Sequence, residues 1–326
     1  MPENPRNFPT VLPSGWFQIG YSDEIRPGEV KPLKYFGKDL VVFRTEDGEL
    51  AVLDAFCPHL GAHLGHGGKV QGNEIECPFH AWRFDTDGRC TAVPYAKHRP
   101  RKAGLGRWHV RELANLVMCW HHRASAPPLW DIPDEIPEWG TIDGVRNQEW
   151  TAWETAEWTV RSCNEEMSEN AVDSAHFRYL HGTSNLPKSE ATFAGPVLRV
   201  YSGTGMETPR GPVDGSVESV AYGFGLGIVR FRGLVETLNI GTTTPIGTTT
   251  PIDLERCHLR FNFSVKKVGG ADITRGIGKA FVNEVKRQVE QDIPVWEHKR
   301  HLSQPVLCDG DGPIAAYRRW TEQFYV

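Results

Sequence analysis

Apolar positions follow a strand-like pattern in the first third of the chain. Between Trp16 and Trp120, short apolar and β-branched runs such as LVVFRT and LAVLDAF are separated by Gly, Asp and Pro turn signals. This pattern predicts a small module built from β-strands. The segment ASAPPLWDIPDEIPEWG, residues 124 to 140, is rich in proline and acidic residues and is predicted to link this module to a second domain.

The remaining two thirds of the chain mix helical and strand patterns. Apolar residues recur at spacings of three and four from Ala156 to Ala171, which predicts a helix. Strand patterns return from about residue 195 to about 268, and a final helix is predicted from about Ile273 to about Gln291. We therefore expect an α+β protein with two domains, residues 1–130 and 131–326.

Two stretches rich in small residues carry no clear chemistry. GFGLG, residues 223 to 227, lacks the third glycine of a phosphate-binding loop and runs into a strand pattern, which disfavours a nucleotide site. GTTTPIGTTTPI, residues 241 to 252, is a six-residue duplication that is typical of a strand edge followed by a turn. Its function cannot be predicted from its composition.

Composition narrows the class of protein. Hydrophobic residues make up 39% and charged residues 24% of the 326 positions, which is typical of a globular protein. The formal net charge is -5 and no Lys/Arg run stands out, so a nucleic-acid partner is disfavoured. No run of about 18 apolar residues and no basic-then-apolar leader is present. We therefore expect a cytoplasmic protein with no transmembrane segment.

The cysteines fall into two groups. Seven cysteines, an odd number scattered over the chain, do not predict a disulfide framework. Those expected to be buried as small hydrophobic residues are Cys90, Cys119, Cys163, Cys257 and Cys308. Cys57 and Cys77 differ, because a histidine follows each of them closely.

These two cysteines define a first candidate metal site. Cys57 and His59 form one pair, and Cys77 and His80 form another after seventeen intervening residues. One interpretation is a tetrahedral zinc site. The other is a Rieske [2Fe-2S] centre, in which two cysteines hold one iron and two histidines hold the other. The order Cys-His then Cys-His favours the Rieske centre, because zinc fingers usually keep their cysteines together and their histidines together.

Two further histidines lie in the same region. His63 and His66 fall between the two Cys-His pairs, in a stretch rich in glycine. We expect them to be surface or turn residues rather than ligands.

A second candidate site lies in NAVDSAHFRYLHG, residues 170 to 182. Asn170, Asp173 and His176 form a polar row at i, i+3 and i+6, and burying such a row unpaired would be unfavourable. On a regular helix His181 would point about 140° away from His176. Both histidines can reach one ion only if the helix ends or bulges between them, and Gly182 is a suitable terminator. The alternative is a core helix whose histidines are satisfied by hydrogen bonds.

A mononuclear non-haem iron site also needs a carboxylate, since such oxygenases use two histidines and one carboxylate. Asp173, Glu169 and a distant acid are all candidates. Asp292 falls on the apolar stripe of the final helix, where a carboxylate must be hydrogen-bonded, neutralised or coordinated to a metal. Alternatively, Asp292 caps a new short helix, because Pro294 would break the preceding one. The acids expected on solvated helix surface are Glu165, Glu166 and Glu169.

Several of these motifs resemble those of one enzyme family. CPHLGAHLG and CPFHAWRFDTDGRC resemble the ligand loops of the Rieske domain of bacterial oxygenases, and NAVDSAHFRYLHG and QDIPVWEHK resemble the iron-binding segments of Rieske oxygenase α subunits. The resemblance covers nearly the whole chain and is closest to the 3-ketosteroid 9α-hydroxylase oxygenase component and its cholesterol-desaturase relatives. It implies a β-rich Rieske domain followed by a catalytic domain with an antiparallel sheet flanked by helices, of the helix-grip, START-like type.

The resemblance also implies roles for individual residues. Cys57 and Cys77 would hold the inner iron of the cluster, and His59 and His80 the outer iron. The implied ligands of a mononuclear Fe(II) are His176, His181 and Asp292. The implied catalytic residues are Asn170 and Asp173, with Asp173 bridging His176 to His80 of the partner subunit in a head-to-tail homotrimer.

Substrate and partners follow from the same resemblance. It implies a monooxygenase that uses dioxygen to hydroxylate a hydrophobic steroid or sterol, with sterol desaturation or oxidative demethylation as alternatives. Because the chain has no NAD or flavin module, a separate NAD(P)H-dependent reductase, with or without a ferredoxin, would supply electrons. The chain departs from the steroid hydroxylases in GTSNLPKSEATFAGP and in ending at QFYV, where a substrate entrance is expected. The alternatives outside this class are a Rieske electron-transfer protein and a zinc-stabilised binding protein.

Overall fold

The computed structural model describes residues 6–142, 145–182, 189–208, 211–233, 236–246, 256–267 and 271–326. These residues form an amino-terminal part made of three small sheets and a carboxyl-terminal part built on one seven-stranded sheet with helices. The α+β class that the sequence predicts is confirmed.

The described amino-terminal part contains eleven short strands in three antiparallel sheets. Their bounds are β1 (Gly15–Tyr21), β2 (Val30–Tyr35), β3 (Lys38–Arg44), β4 (Leu50–Asp54), β5 (Lys69–Gln71), β6 (Glu74–Glu76), β7 (Arg83–Phe84), β8 (Cys90–Ala92), β9 (Arg107–Trp108), β10 (Val110–Leu113) and β11 (Leu116–His121). The sheet orders are β1-β11-β10, β2-β3-β4-β9 and β5-β6-β7-β8. Because β1 pairs with β11, the two ends of this part lie side by side and close it, as the predicted β-rich module requires.

Strand β3 is buried on both faces, which explains its continuous apolar run. Val41 and Phe43 belong to the hydrophobic cluster that contains Cys57 and Cys77. Leu40 and Val42 lie on the other face of the strand and belong to the cluster shared with the carboxyl-terminal part. The sheet of β2, β3, β4 and β9 is thus a middle layer. It supports the cysteine loops on one side and the rest of the molecule on the other.

The carboxyl-terminal part begins after residues 122–140, which contain no regular strand or helix. A short hairpin follows, formed by β12 (Thr141–Ile142) and β13 (Val145–Arg146). The large sheet comprises β14 (Glu154–Val160), β15 (Ser189–Ala194), β16 (Val197–Thr208), β17 (Gly211–Tyr222), β18 (Leu226–Arg232), β19 (Thr237–Pro245) and β20 (Cys257–Val265). Its order is β14-β20-β19-β18-β17-β16-β15, and every pair is antiparallel.

The helix predicted from Ala156 to Ala171 is wrong over its first half. Glu154–Val160 is strand β14, and exposure alternates along it so that Ala156, Trp158 and Val160 lie on the more buried face. These aromatic and β-branched residues favour a strand, and pairing with β20 decides the local structure. Helix α1 (Asn164–Ser168) begins only after this strand, a 3-10 turn follows it, and α2 (Ser174–Tyr179) comes next.

The final helix is longer than predicted and continues through a proline. Helix α3 (Ala271–His298) passes Pro294 without ending, and α4 (Ile314–Thr321) follows. Proline lacks the amide that would bond to the carbonyl four residues earlier, but Val289 and Trp296 pack into one hydrophobic cluster on either side of it. The alternative interpretation of Asp292 as the cap of a separate helix is therefore wrong.

The glycine-rich stretch, the duplicated segment and the predicted buried cysteines match their predictions to different extents. Gly223 has a φ of +59° and leads directly into β18, as expected for a turn rather than a phosphate loop. The first copy of the duplication forms the end of β19, whereas residues 247–252 of the second copy lie outside the described residues. Of the five cysteines expected to be buried, Cys308 is exposed. In the described part, no helix combines the length and the apolar character needed to cross a bilayer.

A buried hydrogen-bond network joins the two parts of the molecule. Gln18 on β1 is fully buried, and its side-chain and backbone oxygens accept hydrogen bonds from the hydroxyls of Thr242 (2.6 Å) and Thr244 (2.7 Å) on β19. Arg260 on β20 also donates to the Gln18 carbonyl, at 3.0 Å. Because a buried polar group without partners is unfavourable, these bonds fix the position of the first strand on the large sheet.

A second buried network corrects the expectation that Glu165, Glu166 and Glu169 are solvated. Glu166 is fully buried, with its carboxylate 2.6 Å from Lys299 Nζ and 2.6 Å from His301 Nδ1. Glu165 and Glu169 are also buried. Glu169 accepts a hydrogen bond from Arg318, and Glu165 accepts one from Thr321, both donors lying on helix α4. The three acids therefore hold the carboxyl-terminal segment against α1 and the turn that follows it.

The Glu166–His301 pair has a defined pH range. Burial alone would raise the pKa of Glu166, but the hydrogen bond from His301 and the charge of Lys299 hold it below its ordinary value of 4.5. The bond to Glu166 in turn raises the pKa of His301 above 6.5. The carboxylate of Glu166 contributes to stability until the pH falls through its pKa in the folded protein. The imidazolium of His301 contributes to stability until the pH rises through its own pKa in the folded protein. The contribution of the pair is complete between pH 4.5 and pH 6.5.

We expect Glu166→Gln to lower the free energy of unfolding by about 3 kcal/mol at about pH 6, because it leaves buried cationic partners without their counter-charge. Guanidinium denaturation at a series of pH values measures this loss. The difference from the unsubstituted protein should narrow as pH rises and His301 loses its proton.

The matched control is Glu154→Gln, which removes an acid from an ion pair with Lys286 at the surface. We expect it to change the free energy of unfolding by less than about 1 kcal/mol. Equal losses from both substitutions would contradict a special role for the buried network.

Candidate metal centres

Two loops with the same backbone geometry carry the Cys-His pairs. In each loop the cysteine amide donates to the carbonyl five residues later, and the amide four residues later donates back to the cysteine carbonyl. The residue at that fourth position has a positive φ, +75° at Gly61 and +56° at Ala81. This conformation is uncommon for alanine, so the second loop keeps a tight turn that its sequence does not favour. The two loops thus present Cys57 and Cys77 in equivalent positions.

The histidines of the two loops meet at the surface end of the site. The rings of His59 and His80 lie 4.7 Å apart, and His59 stacks on Trp82 with its ring 4.7 Å away and only 8° from parallel. Trp82 in turn donates a hydrogen bond of 2.7 Å to the hydroxyl of Tyr95. Both histidines are half-buried, whereas both cysteines are buried. His63, by contrast, accepts a bond from the Gly65 amide within its own loop, as expected for a turn residue.

The chemistry of these donors fits an iron-sulfur cluster. Burial raises the pKa of Cys57 to about 11, and the neighbouring Cys77 thiol adds to the rise. Two adjacent buried thiols cannot both ionise without a compensating cation, and thiolates are the ligands that a metal requires. Nδ1 of His80 is buried and has no hydrogen-bond partner among the described residues. That nitrogen is therefore free to bind an iron.

The spacing of the same donors disfavours a single zinc ion. Zinc bound by thiolate and imidazole holds its ligands at about 2.0–2.3 Å, which places ligand atoms within about 4 Å of one another. Among the described residues, only His176, His181 and Asp292 form a group of three or more ligand atoms within 4.8 Å. The four Cys-His donors do not form such a group among those residues, as expected where two irons share them.

The second site forms where helix α2 ends. As expected, the helix stops between the two histidines, at Tyr179, and the amides of Leu180 (2.8 Å) and His181 (3.3 Å) both donate to the carbonyl of His176. Gly182 follows with a φ of +75°, a conformation typical of a helix terminator. The turn brings the ring of His181 to 5.1 Å from that of His176.

Helix α3 adds a carboxylate to the two histidines. Oδ1 of Asp292 lies 3.4 Å from Nε2 of His181, and it has no hydrogen-bond partner among the described residues. Burial raises the pKa of Asp292 to about 7; a hydrogen bond from Asn170 opposes the rise and the charge of Asp173 adds to it. A buried carboxylate beside two imidazoles is unfavourable by itself, and a bound cation would compensate it.

Neighbouring groups fix the orientation of each candidate ligand. Nδ1 of His176 contacts the backbone carbonyl of Asp173, and Nδ1 of His181 lies 3.0 Å from Oε1 of Gln291. Trp296 donates to Oδ1 of Asn170 at 3.3 Å, and Asn170 bonds to Asp292. Both imidazoles therefore keep Nε2 for another partner. Gln291 and Trp296 are not among the predicted site residues; their one signal in the sequence is their place on the helix that carries Asp292.

The polar row predicted for one helix does not exist as such. Residues 169–171 form a 3-10 turn, and α2 starts anew after Asp173. The Asp173 carboxylate caps that helix by accepting from the amides of Ala175 (3.1 Å) and His176 (3.4 Å). Its side chain is 31% exposed. Asp173 is thus held next to His176, with its carboxylate partly exposed.

Comparisons with known proteins point to one enzyme family. The family described as 3-Ketosteroid 9alpha-hydroxylase C-terminal domain matches residues 119–325, and the Rieske [2Fe-2S] domain matches residues 15–112. The chain is 33% identical to a 3-ketosteroid-9-alpha-monooxygenase oxygenase component of Rhodococcus rhodochrous, over 99% of this chain and 86% of that protein. It is 30% identical to cholesterol 7-desaturase nvd 1 of Ciona intestinalis, over 98% of this chain and 70% of that protein.

Solved structures show the same fold at low sequence identity. Dicamba monooxygenase bound to dicamba matches with a TM-score of 0.71 and 19% identity, covering 95% of this chain and 96% of the other. NdmA of Pseudomonas putida CBB5 with caffeine matches with a TM-score of 0.72 and 18% identity, covering 94% and 89%. Members of this fold family contain a Rieske cluster and a mononuclear iron, and the two donor sets described above suit these two cofactors. The chain belongs to the 3-ketosteroid 9α-hydroxylase family of Rieske non-haem iron oxygenases.

Proposed function

We propose that this protein is the oxygenase component of a multicomponent monooxygenase that hydroxylates a steroid or sterol. The observation that carries the proposal is the convergence of His176, His181 and Asp292 within 4.8 Å, together with a separate Cys-His site elsewhere in the same chain. In such a reaction one oxygen atom enters a C–H bond of the substrate. The other oxygen atom leaves as water, with two electrons supplied by the separate NAD(P)H-dependent reductase and two protons.

Each donor set has a proposed role. Cys57 and Cys77 hold the inner iron of the cluster, His59 and His80 hold the outer iron, and the mononuclear iron is held by His176, His181 and Asp292. When bound, these groups supply electron transfer and dioxygen activation. Asn170 orients the Asp292 carboxylate through its hydrogen bond. Two histidines and one carboxylate are the donor set with which non-haem iron oxygenases would hold iron for reaction with dioxygen.

The division into two domains is part of the proposal. Residues 1–130 are assigned to the cluster domain and residues 131–326 to the catalytic domain. The pairing of β1 with β11 and the irregular chain of residues 122–140 support a boundary in this region. Because the Gln18 network and a shared core join the two parts, they are expected to move as one unit.

The steroid or sterol substrate rests on sequence similarity and on the apolar surroundings of the iron site. The relatives that match over nearly the whole chain are named for 3-ketosteroid and cholesterol chemistry. On α3, the residues flanking Asp292 are Val289, Ile293 and Trp296, which pack with Met167 in one hydrophobic cluster. Such apolar packing keeps water away from the candidate iron site, which favours oxidation of a hydrophobic substrate.

The similarity to a cholesterol 7-desaturase supports desaturation as a second candidate reaction. Oxidative demethylation of a sterol methyl group would use the same centre. All three reactions take their electrons from a separate NAD(P)H-dependent reductase, directly or through a ferredoxin. The name "oxygenase component" of the relatives fits such a division of labour.

A head-to-tail homotrimer would connect the two centres. Exposed apolar side chains surround the cluster loops, namely Phe56, Leu60, Phe79 and Tyr95. A second exposed set, Tyr179, Val306 and Leu307, lies in the segments on either side of the iron site. A contact between the first set of one subunit and the second set of the next would bring Asp173 to His80 of the partner subunit. Contacts between different surfaces close into a ring when the rotation allows.

Replacing Asp292 with Ala should remove the mononuclear iron and abolish turnover, because the remaining histidines bind iron weakly. Iron analysis, together with the visible spectrum of the cluster, measures the two sites separately. The matched control is Glu290→Ala, which removes an exposed acid from the same helix. Full turnover by Asp292→Ala would show that another carboxylate completes the site.

Replacing Asp173 with Ala should keep most of the iron but slow electron delivery by at least about tenfold, since the proposed bridge to the partner's His80 is lost. Stopped-flow oxidation of the reduced cluster in the presence of substrate and dioxygen measures this step. Oxidation at the unsubstituted rate would rule out the bridge.

The reaction itself is tested by product analysis. Enzyme, a surrogate reductase and NAD(P)H are incubated with a panel of 3-ketosteroids and sterols, and products are identified by mass spectrometry with labelled dioxygen. Hydroxylated product containing one labelled atom is expected. Unlabelled product with a new double bond would identify a desaturase, and cluster oxidation with no product from any substrate would favour an electron-transfer protein.

A further inference from the structure

Both ring nitrogens of His181 contact consecutive residues of helix α3. Nδ1 lies 3.0 Å from Oε1 of Gln291, and Nε2 lies 3.4 Å from Oδ1 of Asp292. The imidazole is buried, so water does not replace either contact. His181 is therefore held between two side chains of one rigid element.

The contact with Gln291 determines where the proton of His181 resides. A neutral imidazole carries one N–H, and a side-chain amide oxygen only accepts. Oε1 of Gln291 faces Nδ1, so Nδ1–H donates to it in the tautomer that leaves the lone pair on Nε2, towards Asp292. A metal binds only the nitrogen that carries a lone pair, so this tautomer prepares His181 to act as a ligand.

The second histidine of the site does not depend on a side chain in this way. Nδ1 of His176 contacts the backbone carbonyl of Asp173, which stays in place whichever side chain residue 173 carries. Without an acceptor at position 291, however, the ring of His181 would be free to take the opposite tautomer or to rotate. A single substitution of Gln291 is therefore expected to change the orientation of His181 without removing His181 itself.

We propose that Gln291 is a positioning residue that sets the tautomer and the ring orientation of His181, and thereby the affinity of the centre for Fe(II). Gln291 touches no metal and no substrate in this role. The inference rests on the proposed function, since it takes His181 as an iron ligand. Because Gln291 and Asp292 are neighbours on α3, one helix positions both the carboxylate ligand and the proton of the histidine ligand.

The test uses substitutions that separate size from hydrogen bonding. Gln291→Met and Gln291→Leu keep an extended or branched apolar side chain without an acceptor, whereas Gln291→Glu keeps an acceptor at the same place. The matched control, Gln288→Met, removes a glutamine one turn earlier that donates to Glu284 on the same helix. His181→Ala serves as the reference for loss of the ligand itself.

The measurement is the affinity for Fe(II) of intact protein from which a chelator has removed the mononuclear iron but not the cluster. Protein is titrated with Fe(II), and the site is read by the electron paramagnetic resonance signal that mononuclear Fe(II) gives with nitric oxide. The cluster spectrum counts the folded chains, so partial misfolding lowers the signal without moving the titration midpoint.

We expect Gln291→Met and Gln291→Leu to bind Fe(II) about 10- to 100-fold more weakly, as is typical when a partner of a metal-binding histidine is lost. Gln291→Glu should bind as tightly as the unsubstituted protein or more tightly, and Gln288→Met should not differ from it. Unchanged affinity in the two apolar variants would overturn the proposal, and so would a Glu variant as weak as they are. Unchanged affinity in His181→Ala would instead overturn the ligand assignment of the proposed function.

Discussion

The buried carboxyl group of Asp292 facing His181 is the contact on which the rest of the catalytic part depends. An acid in an apolar cluster, with one oxygen lacking a partner among the described residues, is unfavourable unless a cation lies beside it. The surrounding structure is arranged to keep it there. Helix α3 continues through Pro294 to pack Trp296 against the same cluster, and Trp296 bonds the asparagine that orients the carboxylate. The end of α2 then brings the second histidine within reach.

Two buried polar networks hold the elements that carry the centres. Gln18 bonds the first strand to the large sheet, so the cluster module is fixed on the catalytic part. The carboxylates of α1 and the following turn hold Lys299, His301 and the helix α4 against the segment that leads to Asn170. Buried ion pairs of this kind add little net stability compared with apolar packing, but breaking one leaves an uncompensated charge. They therefore specify one arrangement of the chain around the iron site.

Parts of both centres follow from local sequence. The Cys-His spacings point to the two candidate ligand loops, Gly182 marks the end of the helix between the histidines, and the apolar spacing of α3 places Asp292 in the core. Choosing Asp292 over Asp173 or Glu169 required the family resemblance, because nothing in the sequence shows which acid lies near the histidines. The structure shows where the three acids lie. Asp292 is buried beside His181, Asp173 caps α2, and Glu169 is bonded to Arg318.

The errors have a common physical cause. Glu165 and its neighbours look solvated because their partners lie more than one hundred residues later in the chain, as with Glu166 and His301 at a separation of 135. The apolar spacing of strand β14 fits the period of a helix as well as that of a strand, and only pairing with β20 decides between them. Gln291 has no local signal at all, since its role depends on a ring that lies 110 residues earlier.

The central claim is that one chain holds a Rieske cluster and a separate mononuclear iron. The most direct measurement is the metal and acid-labile sulfide content of the purified protein, normalised to protein concentration. We expect about three irons and about two sulfides per chain, and no zinc. Two irons and two sulfides, with no further iron bound on reconstitution with Fe(II), would contradict the mononuclear site, and zinc without sulfide would contradict the cluster.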